Sequence, residues 1–109
     1  MKTTLLEKLL VFYEEDPRDP FNLYALALEY QKHDASVASE HFERLLSDFP
    51  DYLPTYYHAA QFFILIGEID KARIIFEKGI QIAAEQKNTK AQQELLRAYR
   101  AFEDDQLDE

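Results

Sequence analysis

The feature that most constrains this chain is an internal repeat of small and aromatic residues. Two consecutive stretches of 33 and 34 residues, 20–52 and 53–86, carry the same order of small and bulky side chains. Self-similarity at such a period indicates stacked helical units, each of which buries its apolar stripe against a neighbour. The matched positions are Leu23 with Tyr56, Leu26 with Ala59, Ala27 with Ala60, Tyr30 with Phe63, Ala38 with Ala72, Phe42 with Phe76, Leu45 with Gly79, and Pro50 with Ala84.

Apolar residues recur at helical spacing along the chain, as Leu5, Leu9 and Phe12 do near its start. Capping residues, together with helix-ending proline and glycine, mark the boundaries. Short connections leave antiparallel packing as the arrangement of neighbouring helices. The predicted helices cover about 4–15, 20–32, 37–48, 54–66, 69–84 and 89–103, with Thr4, Asp19, Ser36 and Thr89 as N-caps and Gly67 as a C-cap.

Alanines stand where paired helices are expected to approach most closely. Ala27 and Ala60 lie on the first helix of each stretch, and Ala38 and Ala72 lie on the second. Helix axes about 8–10 Å apart need small side chains at the crossing, with larger ones beside them. The alternative is a plain helical bundle whose periodicity is accidental.

The pattern resembles the tetratricopeptide repeat, a helix–turn–helix unit of about 34 residues. The first stretch has Leu23 where an aromatic residue is usual and lacks a turn glycine. The second has Gly79 and Ala84 where alanine and proline are usual. The residues that carry the resemblance are Leu26, Ala27, Tyr30, Ala38, Phe42 and Pro50 in the first stretch, and Tyr56, Ala60, Phe63, Gly67, Ala72 and Phe76 in the second.

The resemblance implies an all-α fold, a right-handed stack of six antiparallel helices that makes a fragment of an α-solenoid within a single domain, 1–109. It implies an N-terminal half-repeat, two full repeats and a C-terminal capping helix. An acidic tail follows, which we expect to be solvated and frayed. The corresponding ranges are 1–19, 20–52, 53–86, 87–103 and 104–109.

In this family the first helix of each repeat lines a concave groove, which implies a partner-binding surface. The lysine and asparagine with which some members hold a carboxylate are replaced here by Tyr24 and Leu28, and by Tyr57 and Gln61. The carboxylate clamp is therefore absent. We expect the groove to hold an apolar or helical segment of a partner protein, with the chain as a scaffold or adaptor. The implied groove residues are Phe21, Tyr24, Ala25, Leu28, Gln31 and Lys32, then Pro54, Tyr57, His58, Gln61, Ile64 and Leu65.

The predicted fourth helix, 54–66, has almost no polar face. A helix that is apolar all round requires cover on every side. Either a partner protein covers it, or neighbouring helices do, or a second copy does so in a homodimer. Complete cover of Tyr57, Ile64 and Leu65 within one chain would remove the reason to expect a partner.

Charge and composition argue against several functions. The net charge is −9 and no cluster of lysine and arginine occurs, so we expect no nucleic-acid partner. The longest uncharged stretch, 53–67, is shorter than the roughly 20 residues that span a bilayer. The chain has no cysteine, which excludes disulfides and thiolate catalysis and suits the reducing cytoplasm.

No catalytic or metal-binding motif is present in the sequence. The three histidines, His33, His41 and His58, are scattered, and no HExxH or cysteine-based metal spacing occurs. We therefore expect no enzymatic activity, no cofactor and no metal site. The remote alternative is a hydrolase or metal-dependent enzyme that uses His58 on the groove face.

Overall fold

A computed structural model of the chain describes residues 4–108. These residues form helices and turns without a strand, which confirms the predicted all-α fold class. The chain consists of two compact units, and the boundary between them lies between Thr55 and Tyr56. The helices are α1 (Leu5–Glu15), α2 (Pro20–Tyr30), α3 (Ala35–Asp48), α4 (Pro54–Leu65), α5 (Ile69–Glu85) and α6 (Thr89–Leu107).

Two predicted N-caps are present in the first unit. The Thr4 hydroxyl accepts a hydrogen bond of 3.1 Å from the backbone N–H of Glu7, as in a capping box. The Asp19 carboxylate accepts one of 3.0 Å from the N–H of Phe21. Pro20 is the first helical residue of α2, where its missing N–H removes no helical hydrogen bond.

In the first unit α2 packs against both α1 and α3. The side-chain amide of Asn22 donates to the carbonyl oxygens of Phe12 (3.2 Å) and Asp16 (3.0 Å), and so ties the end of α1 to the start of α2. Ala27 and Ala38, the alanines predicted at the crossing of α2 and α3, are completely buried. The other completely buried apolar residues of this unit are Leu23, Leu26, Phe42 and Leu45.

In the second unit three helices meet at Gly79 of α5. An added Cβ there would lie 2.6 Å from the Cβ of Tyr56 on α4 and 3.2 Å from Cδ1 of Leu95 on α6. The close approach explains why this position has glycine. The buried apolar residues of the unit are Tyr56, Ala59, Ala60, Phe62, Phe63, Ala72, Ile75, Phe76, Ile82, Ala83, Leu95 and Phe102.

Gly67 ends the fourth helix as predicted. Its φ of 85° lies in the left-handed region that glycine adopts without strain. The N–H of Glu68 then donates to the carbonyl of Phe63 (2.8 Å), and the N–H of Gly67 to that of Ile64 (3.0 Å). This pattern satisfies carbonyl groups left open at the helix end.

The predicted cap of the third helix, Ser36, is wrong. Asp34 is the N-cap, and its carboxylate accepts from the backbone N–H groups of Ser36 (3.1 Å) and Val37 (3.3 Å). Both residue types cap helices well, and Asp34 comes first along the chain. Ser36 therefore lies within the first turn of α3.

The predicted cap of the sixth helix, Thr89, is also wrong. Lys87 adopts a left-handed φ of 58° at the end of α5, and the N–H of Asn88 donates to the carbonyl of Ala83 (2.9 Å). This turn places Asn88 at the start of α6, where its side chain accepts from the N–H of Ala91 (3.1 Å). Thr89 becomes the first residue of the helix.

The acidic end of the chain is helical where a frayed tail is expected from the sequence. The sixth helix continues to Leu107 and so includes residues 104–107 of the predicted tail. No proline or glycine follows Phe102, whose buried ring anchors the last part of the helix. Asp104, Asp105 and Asp108 are exposed, so the expected solvation of these acids holds.

Candidate functional site

Six predicted groove residues lie on α2 or directly after it in the first unit. Phe21 is 56% exposed and Lys32 is also exposed. The other four predicted groove residues are half-buried. Their spacing of three and four places them along one side of the helix. The half-buried residues are Tyr24, Ala25, Leu28 and Gln31.

A cleft between α1 and α2, which we call the α1/α2 cleft, contains four of these side chains. Its volume is about 520 Å³. Two apolar residues of α1, Leu5 and Leu9, form its other wall. Among the described residues of the lining, Glu29 is the only one with a carboxylate. The described residues that line it are Leu5, Leu9, Ala25, Leu28, Glu29, Gln31 and Lys32.

Leu5, Leu9 and Glu29 are not among the groove residues that the sequence implies. The i, i+4 spacing of Leu5 and Leu9 predicts an apolar helix face, but it does not tell which part packs and which part lines a cleft. Glu29 is followed by Lys32 and His33 at i+3 and i+4. That spacing is the signal that could have indicated an ion-pair cluster at this position.

The side chain of Glu29 is only 11% exposed, and its carboxylate is paired with two neighbouring side chains. It accepts a hydrogen bond of 3.0 Å from Nε2 of His33 and lies 3.5 Å from Nζ of Lys32. The hydrogen bond from His33 is the main cause that holds the pKa of Glu29 below its usual value, with a smaller contribution from the charge of Lys32; burial opposes both. The polar edge of the cleft is therefore neutralised by its own residues.

An aromatic cluster, made of Phe21, Tyr24 and Tyr52, lies one helical turn before the cleft. The ring centroids of Tyr24 and Tyr52 are 5.6 Å apart in an edge-to-face arrangement, and those of Phe21 and Tyr24 are 6.4 Å apart. Burial, followed by proximity to Tyr52, raises the pKa of the Tyr24 phenol. Burial, followed by the charge of Asp19, raises that of Tyr52.

The predicted residues of the second group lie along α4. Tyr57 is 43% exposed and Leu65 is 81% exposed, whereas His58, Gln61 and Ile64 are half-buried. The chain therefore does not fully cover this side of α4. Much of the apolar character of the helix is nevertheless explained by its buried residues, which include Tyr56, Ala59, Ala60, Phe62 and Phe63.

Each histidine has a structural contact. His41 Nδ1 lies 2.8 Å from the carbonyl of Val37, and His33 contacts Glu29. The ring of His58 meets that of Tyr57 edge-on at 5.4 Å, and burial lowers the pKa of His58. Between residues 4 and 108, no three histidine or carboxylate side chains are grouped to hold a metal ion.

A second cleft lies along α6 and was not predicted. It has a volume of about 460 Å³ and is lined by Gln93, Leu96, Arg97 and Arg100. None of the helices in the described part of the chain combines the length and apolar character needed to cross a bilayer.

Two solved structures that are similar to this chain come from Salinibacter ruber. A solution NMR structure of a tetratricopeptide repeat domain protein is 42% identical, with a TM-score of 0.76, and the match covers 81% of this chain and 90% of that one. A crystal structure of a tetratricopeptide repeat domain protein from the same organism is 40% identical, with a TM-score of 0.72, over 78% and 97%. No protein-family model and no curated protein matches the chain.

Proposed function

This chain belongs to the tetratricopeptide repeat family, and we propose that it is a protein-interaction module that binds an apolar, helical segment of a partner protein. Membership of the family supports a protein partner in general and favours a binding role over catalysis. The α1/α2 cleft is the main binding surface in this proposal, and the exposed side of α4 is a second one. The proposed contact residues are Phe21, Tyr24, Leu28, Gln31 and Lys32 in the first unit, and Tyr57, His58, Gln61, Ile64 and Leu65 in the second.

The observation that carries the proposal is the shape and lining of the α1/α2 cleft. Leu5 and Leu9 on one helix face Ala25 and Leu28 on the other. Its volume of about 520 Å³ lies within the range of about 300–1,000 Å³ typical of ligand sites. An amphipathic helix binds such a groove by inserting side chains spaced three or four positions apart.

The polar residues of the cleft favour an apolar guest over a charged one. Glu29 is already paired with His33 and Lys32, so it does not require a positively charged group from a partner. Ala25 contributes only a methyl group and leaves room on α2 for an anchoring side chain. A leucine- or phenylalanine-sized anchor gains about 1.5–3 kcal/mol when it is fully buried.

The test uses helix-forming peptides selected from a displayed library against the purified chain. Their affinities are then measured by fluorescence polarisation for the wild type and for Leu28→Asp. We expect the selected peptides to carry apolar anchors at helical spacing and to lose at least about tenfold in affinity, or 1.4 kcal/mol, with Leu28→Asp.

Ile74→Asp is the matched control. Ile74 lies on α5 of the second unit, outside the proposed surfaces, and is 65% exposed. We expect this variant to bind the peptides as the wild type does. Equal losses for both variants, or no loss with Leu28→Asp, would refute binding in the α1/α2 cleft.

Self-association is the alternative occupant of the same surface. Phe12 and Phe21 are both more than half exposed near the start of α2, and apolar residues of this kind can pair in a symmetric dimer. Light scattering after gel filtration distinguishes the two cases. A species of 12.9 kDa supports binding of a separate partner. A dimer that Leu28→Asp dissociates would show that a second copy fills the cleft.

A further inference from the structure

The aromatic cluster of Phe21, Tyr24 and Tyr52 is partly exposed, and its rings are inclined to one another. The planes of Tyr24 and Tyr52 are inclined by 68°, and those of Phe21 and Tyr24 by 48°. Rings inclined in this way present faces in different directions, unlike rings closed in a parallel stack. Phe21 is exposed and the two tyrosines are half-buried, so part of the cluster is accessible to a ligand.

A carboxylate lies beside these rings. Asp19 uses Oδ1 to cap α2, through the hydrogen bond from Phe21, and its charge acts on the phenol of Tyr52. Within residues 4–108, no ion pair joins Asp19 to a basic side chain, including its neighbour Arg18. Among the described residues, no basic side chain therefore pairs with this carboxylate.

The charge of the surrounding unit also favours a cationic ligand. Residues 1–55 contain eleven acidic and five basic residues, whereas the rest of the chain contains ten and seven. Most of the net negative charge therefore belongs to the unit that contains the cluster. Such an imbalance attracts basic segments and increases their rate of encounter.

We propose that Phe21, Tyr24, Tyr52 and Asp19 form a subsite for a lysine or arginine side chain of the partner segment. The inference rests on the proposed function, because the same segment fills the adjacent α1/α2 cleft. A cation within about 6 Å of an aromatic centroid is attracted by the negative face of the ring, and guanidinium groups also stack on rings. Asp19 supplies the opposite charge.

The positions along α2 define the spacing within the partner segment. Phe21 precedes Ala25 by four residues, and Tyr24 precedes Leu28 by four, which is about 6 Å along the helix axis. A partner helix that runs along α2 therefore carries its basic residue three or four positions from an apolar anchor. Peptides selected on the chain should be enriched in this combination.

The direct test does not need a selected peptide. Acetyl-arginine methylamide and its neutral isostere, acetyl-citrulline methylamide, are titrated into the folded chain, and the ring signals of the aromatic cluster are followed by NMR. We expect saturable shifts with the arginine compound, at concentrations on the order of millimolar, and none with the citrulline compound. Equal shifts with both compounds would overturn the proposal.

Asp19→Asn separates the charge of Asp19 from its role as a cap. Asparagine caps a helix about as well as aspartate, so α2 should remain intact. We expect the variant to weaken binding of the arginine compound about 3- to 30-fold. Asp34→Asn removes the same charge from the cap of α3 and should leave binding unchanged. Equal weakening by the two variants would indicate general electrostatic attraction and contradict the subsite.

Tyr24→Leu and Tyr24→Phe test the rings. The phenylalanine variant keeps the aromatic face and should retain binding, whereas the leucine variant should lose it; the NMR spectrum shows whether each is folded. Retained binding in a folded Tyr24→Leu variant would contradict the subsite. If the arginine compound binds as expected but Leu28→Asp does not affect peptides, the cleft proposal fails and the subsite remains. If Leu28→Asp weakens peptide binding but the arginine compound does not bind, the subsite is refuted and the cleft proposal remains.

Discussion

A Cβ atom at Gly79 would lie 2.6 Å from the Cβ of Tyr56, a separation that real structures essentially never show. The repeat pattern usually has alanine at this position. Glycine here allows α5 to approach α4 and α6 more closely than alanine would. The departure from the family pattern is therefore explained by local packing.

Gly79→Ala should destabilise the chain. Alanine in an ordinary helix interior gains about 0.5–1 kcal/mol over glycine. At this site the new Cβ meets the inflexible first atoms of the Tyr56 side chain, and overpacking costs about 1–3 kcal/mol. We expect a net loss of up to about 2 kcal/mol in the free energy of unfolding, measured by urea denaturation. Ala101→Gly is the control: Ala101 lies on the exposed side of α6, so this variant measures the ordinary difference in helix propensity between alanine and glycine. A Gly79→Ala variant that is more stable than the wild type would contradict the packing explanation.

Ala38→Leu should overpack the crossing of α2 and α3. Ala38 is completely buried, and the pair of helices leaves no room for three further carbon atoms. We expect a loss of about 1–3 kcal/mol in the free energy of unfolding. The matched control is Ala101→Leu, which adds the same atoms at an exposed position and should change stability little. Similar values for the two variants would show that the crossing tolerates larger side chains.

The local features that determine the helices can be predicted from the sequence. The repeat spacing matches Ala27 with Ala60 and Ala38 with Ala72 as small residues, which predicts the burial of Ala27 and Ala38 at the crossing of α2 and α3. Asp19 caps α2 and Gly67 ends α4 because each is the strongest such residue near a change of apolar periodicity. These signals depend on neighbouring residues and on helical spacing alone.

Other features depend on backbone geometry or helix rotation that no spacing pattern contains. Asn88 caps α6 in preference to Thr89 because Lys87 turns the backbone into the left-handed region. Leu5 and Leu9 line a cleft because of the rotation of α1 about its axis, and their apolar character fits packing equally well. The aromatic cluster depends on Tyr52, which lies outside both helices of its repeat and has no repeat position assigned to binding.

Glu29→Gln should make the free energy of unfolding less dependent on pH. The pKa of Glu29 is lowered in the folded chain, chiefly by the hydrogen bond from His33, so its ionised form stabilises the fold above the unfolded-state pKa of about 4.3. That contribution is lost as the pH falls through the lower folded-state value. We expect Glu29→Gln to be less stable than the wild type at pH 7 and to approach it near pH 3, in urea denaturation at several pH values.

Glu40→Gln is the control for this pH dependence. Glu40 lies on α3 of the same unit and is exposed. Its replacement removes the same charge without breaking the contact to His33, and we expect unfolding curves close to those of the wild type at each pH. A Glu29→Gln variant whose stability stays parallel to the wild type from pH 7 to pH 3 would refute the role of the ion-pair cluster.

Asp105→Lys should stabilise the end of α6. The last turn of this helix has acidic residues and no basic one, which is unfavourable next to the negative end of the helix dipole. A lysine there should add about 0.3–1 kcal/mol at low ionic strength, and the gain should shrink near 1 M salt, where the screening length is about 3 Å. Asp70→Lys is the control, because it changes the net charge by the same amount. It removes a favourable acid from the first turn of α5, together with its 3.1 Å ion pair with Arg73. We therefore expect it to destabilise the chain. Thermal unfolding at two salt concentrations measures both variants, and shifts of the same sign would mean that net charge outweighs the helix dipole.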